Sequence, residues 1–203
     1  QPPFYRELRM FDGSLVSPEK ASTQKSYQVV FTHEYNFKAW DRPFVLTSEL
    51  YYKYLKDIIP YEVDNIRIRY YADQRATGYA TGLDLRLNGE FVKGIESWAS
   101  LSIMKSAENI KYYLSANGNI LSQTQVDNGA EYVCDTIIKG IPRPSDQRIN
   151  FSLFFQDYLP YIPSFKVNLK LVFGTGMPFG TPYGERYTQK MRMSAYRRVD
   201  IGF

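Results

Sequence analysis

Seven stretches of this chain alternate apolar and polar residues with a period of two, the pattern of strands that bury one face and wet the other. In "YQVVFTHEYNF", Val29, Phe31, His33 and Tyr35 share a face, opposite Thr32, Glu34 and Asn36. In "FVLTSELYYKYLKD", Phe44, Leu46, Leu50, Tyr52 and Tyr54 lie with Ser48, opposite Thr47, Glu49, Tyr51 and Lys53. "TGLDLRLNG" sets Leu83, Leu85 and Leu87 against Asp84, Arg86 and Asn88. "SWASLSIMK", "INFSLFFQDY", "KVNLKLVFG" and the final "YRRVDIGF" repeat the alternation, and helical periodicity is scarce. An all-β, antiparallel fold of about seven strands follows.

The connections also alternate, short then long. "KAWDRP", "GEFVKGIE" and "LPYIPS" are short, whereas 58–76, 107–148 and 174–190 are long. A link as long as 107–148 is unusual in a compact water-soluble domain unless it has structure of its own. Outer-membrane barrels have short periplasmic turns and long extracellular loops as a rule. Composition agrees: aromatics make up 16% of the residues, with 18 Tyr and 13 Phe, yet mean hydropathy is only -0.39. No stretch approaches the roughly 18–20 apolar residues of a membrane helix, and alternating barrel strands hide from average hydropathy.

Charge falls on one side of the strands. Glu34, Glu49, Lys53, Asp84, Arg86, Lys170, Arg198 and Asp200 all take polar-face positions, which need water or partners. A barrel lumen supplies that water, and so does the solvated face of a soluble sheet; the pattern alone leaves both open. Trp40, Tyr54, Trp98, Tyr158 and Tyr161 lie near strand ends, where an interfacial aromatic girdle would sit. The net charge of +4 comes from interleaved acids and bases, not from the basic stripe of a nucleic-acid binder. The opening "QPPFYRELRMFDG" has neither a basic nor an apolar leader region, so it reads as an internal piece of a longer chain or as the product of leader removal.

Several stretches, in order, resemble TonB-dependent outer-membrane receptors of the Bacteroidetes type, including those with a carboxypeptidase-regulatory-like domain. "SELYYKYLKDIIPY" resembles an up-strand entering an outer loop, and "GYATGLDLRLNGEF" the following down-strand, with Gly82, Leu83 and Asp84 in its Gly-hydrophobe-acid positions. "IPRPSDQRINFSLFF" resembles a Pro-containing late strand entry, "LVFGTGMPFGTP" the penultimate strand and its Gly/Pro-rich loop, and "YRRVDIGF" the closing strand. The resemblance runs from about Gln24 to Phe203. It implies a barrel of about 22 strands around a plug, of which this chain is the C-terminal part: 1–24 an outer loop, 25–203 strands and loops, the plug domain absent. It departs from the family in having no TonB box and in ending slightly short of the usual terminal aromatic. The implied function is TonB-energised uptake of a glycan, peptide or metal chelate, with no enzymatic step. The implied partners are outer-membrane lipid, the TonB–ExbB–ExbD complex acting through the missing plug, the barrel-assembly machinery and a surface lipoprotein, with no nucleic acid. The rival reading from the residues is a soluble or surface β-domain that binds carbohydrate or protein.

Site expectations follow from the long loops. "DNIRIRYYADQR" interleaves Arg67, Arg69 and Arg75 with Tyr70 and Tyr71. That mixture suits stacking and charge on a glycan or anionic ligand, or simply an extended hairpin. Arg67, Arg69, Tyr70, Tyr71, Tyr132, Phe179 and Tyr183 are the loop candidates for ligand contact, and the eight polar-face charges are the candidates for a lumen wall. "FGTGMPFGTPYG" lacks the Gly-Lys-Ser/Thr ending of a phosphate cradle and reads as an irregular loop. His33, the only histidine, falls on the apolar face without metal or acid–base partners, and Cys134 lies in a polar loop without a His/Asn set; both read as structural. No carboxylate pair stands out as a catalytic couple, and no cofactor or metal is expected.

Overall fold

The computed structural model describes residues 3–9, 13, 15–16, 23–64, 67–121, 123–159, 162–181 and 184–203. Seven long strands form one antiparallel meander: β1 (Lys25–Ala39), β2 (Arg42–Ile58), β5 (Ala76–Val92), β6 (Ile95–Leu114), β9 (Ile149–Leu159), β10 (Ile162–Gly174) and β13 (Tyr196–Gly202), in that spatial order. Each contains an alternating stretch read from the sequence; β1, β2, β5, β6 and β10 extend several residues beyond it because pairing with their neighbours continues past the apolar run, whereas β9 and β13 match theirs to within a residue.

Tight turns close the hairpins at one end, the turn end. Trp40 and Asp41 join β1 to β2 with φ of 53° and 57°, both left-handed, as a two-residue hairpin requires. Lys93 and Gly94 join β5 to β6, with Gly94 at φ 77°. Leu159 pairs with Ile162 across the third turn.

The long connections gather at the opposite, loop end, and each has structure of its own. The first folds into a hairpin of β3 (Tyr61–Asp64) and β4 (Arg67–Tyr70). The second contains β7 (Ile120–Leu121), the short α1 (Gln123–Asp127) and β8 (Cys134–Pro142). Cys134 thus opens a strand and is exposed there, where the sequence suggested a loop. Strand β6 uses one edge twice, pairing with β9 through Trp98–Ile103 and with β8 through Ala107–Leu114. The third connection contains β11 (Pro178–Phe179), a 3-10 turn (Arg186–Thr188) and β12 (Met191–Arg192). In the first 24 residues a 3-10 turn spans Tyr5–Leu8, and Arg9 bridges to Leu15.

The register gives the sheet two chemically opposite faces. One row reads His33, Ser48, Leu85, Leu101, Phe151, Phe173 and Arg197 across the seven strands. Neighbouring rows on the same face bring together Phe31, Leu50, Leu83, Ile103 and Ile149, and Tyr35, Leu46, Leu87, Ala99, Leu153, Leu171 and Val199. Nothing among the described residues covers this apolar face. Val29 is 72% exposed, Phe31 66%, Leu50 56% and Ile201 63%. The buried core lies elsewhere, at the loop end of the other face: Leu55, Ile58, Ala76, Ile110, Tyr112 and Ile141, with Ile138 and Tyr187 against it.

Two aromatic–glycine contacts tighten the sheet. The Phe44 ring lies over Gly89, where an added Cβ would meet ring carbon Cδ1 at 2.3 Å. On the polar face Tyr51 covers Gly82 in the same way, with its Oη 2.5 Å from such a Cβ. Phe44 also anchors an aromatic cluster at the turn end with Phe37, Trp40 and Phe91. Of the residues expected in an aromatic girdle, Tyr54 lies on the apolar face, stacked on Tyr27. Trp98 and Tyr158 do not: they project from the polar face, Trp98 against Phe154 and beneath Arg86. Trp98 alternates with Ala99 and Tyr158 with Asp157, so strand parity overrides proximity to the strand end. Tyr161 lies outside the described residues.

Candidate functional site

The polar face and the loops above it make the candidate site. Thr32, Glu49, Asp84, Ser102 and Asn150 form one row, and Glu34, Thr47, Arg86, Ser100, Ser152, Val172 and Arg198 the next. Lys170 faces Asp200 directly, and Arg198 Nε lies 2.9 Å from Asp200 Oδ1. Lys53 pairs in register with Gln28 and Ala80. All eight charges predicted for a lumen wall therefore project from one side of the sheet. Besides the Arg198–Asp200 bond, Asn36 Nδ2 donates to Glu34 at 3.3 Å and Arg86 Nε to Asn88 Oδ1 at 3.2 Å. Glu49 and Asp84 sit opposite each other, an arrangement of like charges that needs solvation.

Above this wall the three long connections lock together through buried charge. Glu108 projects from β6 at 1% side-chain exposure. Arg186 Nε, on the third connection, lies 2.9 Å from one of its oxygens, and Arg143 Nε, on the second, lies 3.5 Å from the other. The Arg186 side chain is fully buried and also donates to the Pro142 carbonyl. A second hub is Asp146, which accepts the Ser106 backbone N–H at 2.6 Å and pairs with Arg148 Nε at 2.9 Å and with Arg192.

The first connection joins through its hairpin. Arg69 Nη1 meets Glu62 at 2.8 Å, and the Tyr71 hydroxyl donates to Glu62 at 2.9 Å. The same hydroxyl lies 3.2 Å from the Gly184 carbonyl of the third connection. Burial, with Glu62 beside it, holds the Tyr71 hydroxyl well above the usual phenol range. The hydroxyl therefore stays protonated and remains a donor. Arg143 completes the contact by lying over the Tyr61 ring at 5.8 Å.

The loop candidates divide accordingly. Arg69 and Tyr71 belong to this interlock, and Tyr70 packs on Tyr61 at 6.0 Å between ring centroids. Arg67 is exposed at the start of β4. Phe179 pairs in register with Met191 in the small β11–β12 ribbon. Tyr132 is apart from them, packed edge-to-face against Tyr113 with ring centroids 4.9 Å apart. Tyr183 lies outside the described residues. The residues that sequence reasoning missed are Glu108, Asp146, Arg143, Arg186 and Arg192. Polar alternation along "SAENIKYY" marks Glu108 as a polar-face residue, but nothing in the sequence pairs it with an arginine in a Gly/Pro-rich loop far along the chain. Among the described residues no group of three or more His, Cys, Asp or Glu side chains is placed to hold a metal ion. His33 lies opposite Ser48 on the apolar face.

No family model matches the chain, and no curated protein or solved structure is significantly similar to it.

Proposed function

We propose that this chain is a section of the wall of an outer-membrane β-barrel of the TonB-dependent receptor type that its motifs resemble, serving uptake of a ligand. The observation that carries the reading is the uncovered apolar face. Across seven strands it measures about 30 Å by about 34 Å, roughly 1,000 Å². The largest apolar patch on a typical soluble monomer is about 300–600 Å². Lipid covers such a face without cost, and the charged face then lines an aqueous lumen.

The belt also runs diagonally. Its loop-end margin lies at Tyr27 on β1, Ile103 on β6, Phe173 on β10 and Val199 on β13, so it slides steadily along the rows. The first cation on that margin moves from Lys25 to Arg197, which shares the His33 row, a slide of eight residues over six strand steps. With about 3.3 Å per residue and about 4.8 Å per strand, that is a tilt of about 40°, within the range of membrane barrels. At that tilt the run from Tyr27 to Phe37 spans about 26 Å of bilayer, close to the apolar band of about 25 Å in such proteins.

The outer edges of β1 and β13 have no strand partner among the described residues, which fits a wall continued on both sides. In this reading the turn end faces the periplasm, the interlocked loops face outward, and the lumen wall comprises Glu34, Glu49, Lys53, Asp84, Arg86, Lys170, Arg198 and Asp200. Energy comes from the TonB–ExbB–ExbD complex through a plug, and the barrel-assembly machinery inserts the protein. A surface lipoprotein hands ligand to the loops. Fractionation tests the reading: the protein should sediment with outer membranes and need detergent for extraction. Recovery as a stable monomer in detergent-free buffer would sink it.

A further inference from the structure

We propose that the loop-end margin of the apolar face binds the phosphate groups of anionic membrane lipids, those without a compensating headgroup cation, in the leaflet on that side. The proposal rests on the barrel reading above. Lys25, Lys56, Lys105 and Arg197 stand on this margin, all on the apolar face by register and all exposed. None of the four makes an ion pair among the described residues. Lys25 and Lys56 are directly opposite each other across the β1–β2 pair. Two ammonium groups so placed repel each other, unless an anion lies between them.

Loop-ward of Lys105, a shallow cavity of about 140 Å³ opens, lined by Asp57, Arg75, Thr77, Asn109, Lys111 and Ile137. The carboxylates nearby already face cations: Asp57 and Asp73 lie by Arg75, and Asp135 pairs with Lys111 at 2.7 Å. Arg75 is shared by two carboxylates and Lys111 is matched by Asp135, so the cavity itself carries no positive excess; the unmatched positive charge of the margin is that of Lys25, Lys56, Lys105 and Arg197. The turn-end margin differs. There Arg42 donates to the Phe91 carbonyl, and Asp157 accepts the Tyr158 N–H at 2.7 Å. Long cationic side chains at the edge of an apolar band reach headgroup level, and each attracts anionic lipid by about 1 kcal/mol. A row of unpaired cations beside the lipid-facing belt is complementary to lipid-borne phosphate, which is held at that depth, more than to a phosphate ion free to diffuse.

The test uses the complete protein carrying this chain, in detergent micelles doped with phosphatidic acid or phosphatidylcholine, with retained lipid counted by native mass spectrometry. The expected result is a preference for phosphatidic acid of about tenfold or more. The triple variant Lys25→Gln, Lys56→Gln, Lys105→Gln should lose it, while a polar-face control, Lys38→Gln with Lys53→Gln, should keep it. Equal retention of the two lipids, or an unchanged triple variant, would overturn the inference. So would displacement of the lipid by inorganic phosphate at matched concentration, which would mark a free-anion site. Any of these results in a protein that still requires detergent leaves the barrel reading standing; a protein soluble without detergent removes both.

Discussion

The middle of the sheet and its loop end invert each other. In the middle, Phe31, Leu50 and Ile201 are exposed on one face, and charged side chains line the other. At the loop end, Glu108, Asp146 and Arg186 are buried, together with Ile110, Tyr112 and Ile141. In water both arrangements cost free energy, the first through apolar exposure and the second through desolvated charge. The loop end offsets part of its cost internally, since Glu108 and Asp146 each face an arginine brought by another connection. The middle has no internal solution, so its surroundings must supply one.

Breaking the loop end should produce the largest effect. Arg186→Met removes one partner of a buried pair and leaves Glu108 facing only Arg143 at 3.5 Å. The expected loss is about 3–5 kcal/mol in docking of the third connection. Limited proteolysis should then cut within 175–195 while the strands stay protected. Cleavage no faster than in the parent protein would mean that Arg186 does not hold the connection down.

In the middle, Leu171→Arg places a cation on the apolar face. Folding stability in vesicles, followed by urea titration, should fall by about 2–4 kcal/mol, whereas Lys170→Leu, one residue away, should be tolerated. Equal effects at the two positions would erase the distinction between the faces. A smaller effect is expected at Gly89→Ala, because the new Cβ would lie 2.3 Å from the Phe44 ring. The displaced ring should cost about 1–3 kcal/mol in the same titration, and Phe44→Ala should relieve the clash in the double variant.

The sequence made the middle legible because alternation is local: parity alone puts Leu83 and Asp84 on opposite faces, and pairing carries that choice from strand to strand. The loop end was not legible for the opposite reason. Glu108, Arg143 and Arg186 come from three separate segments, and their charges alone read as ordinary solvated positions. Trp98 shows the limit within a strand, since closeness to the strand end suggested a girdle position that its parity forbids. The hairpin of β3 and β4 was one of two readings open for "DNIRIRYYADQR", but the role of Tyr71 as a tie to Gly184 was not legible.

The smallest effect concerns pH. Desolvation, then Asp73 and Glu62, hold the Glu185 carboxyl above the ordinary range. A carboxyl with a raised folded-state pKa favours docking while protonated, and that contribution is lost as pH rises through its folded pKa. Glu185→Gln should therefore slow proteolysis of 175–195 slightly at neutral pH and flatten its dependence on pH from the carboxylate range upward. A variant with the parent's pH profile would show that Glu185 does not couple docking of the third connection to pH.

The most direct test of the account reads the environment of alternate residues on one strand. In the complete protein, with Cys134 replaced by serine and reconstituted in vesicles, single cysteines at positions 83 to 86 would carry a fluorophore challenged by a lipid-borne quencher and by aqueous iodide. Lipid quenching is expected in place of Leu83 and Leu85, and iodide quenching in place of Asp84 and Arg86. Iodide quenching at all four positions would contradict the barrel reading.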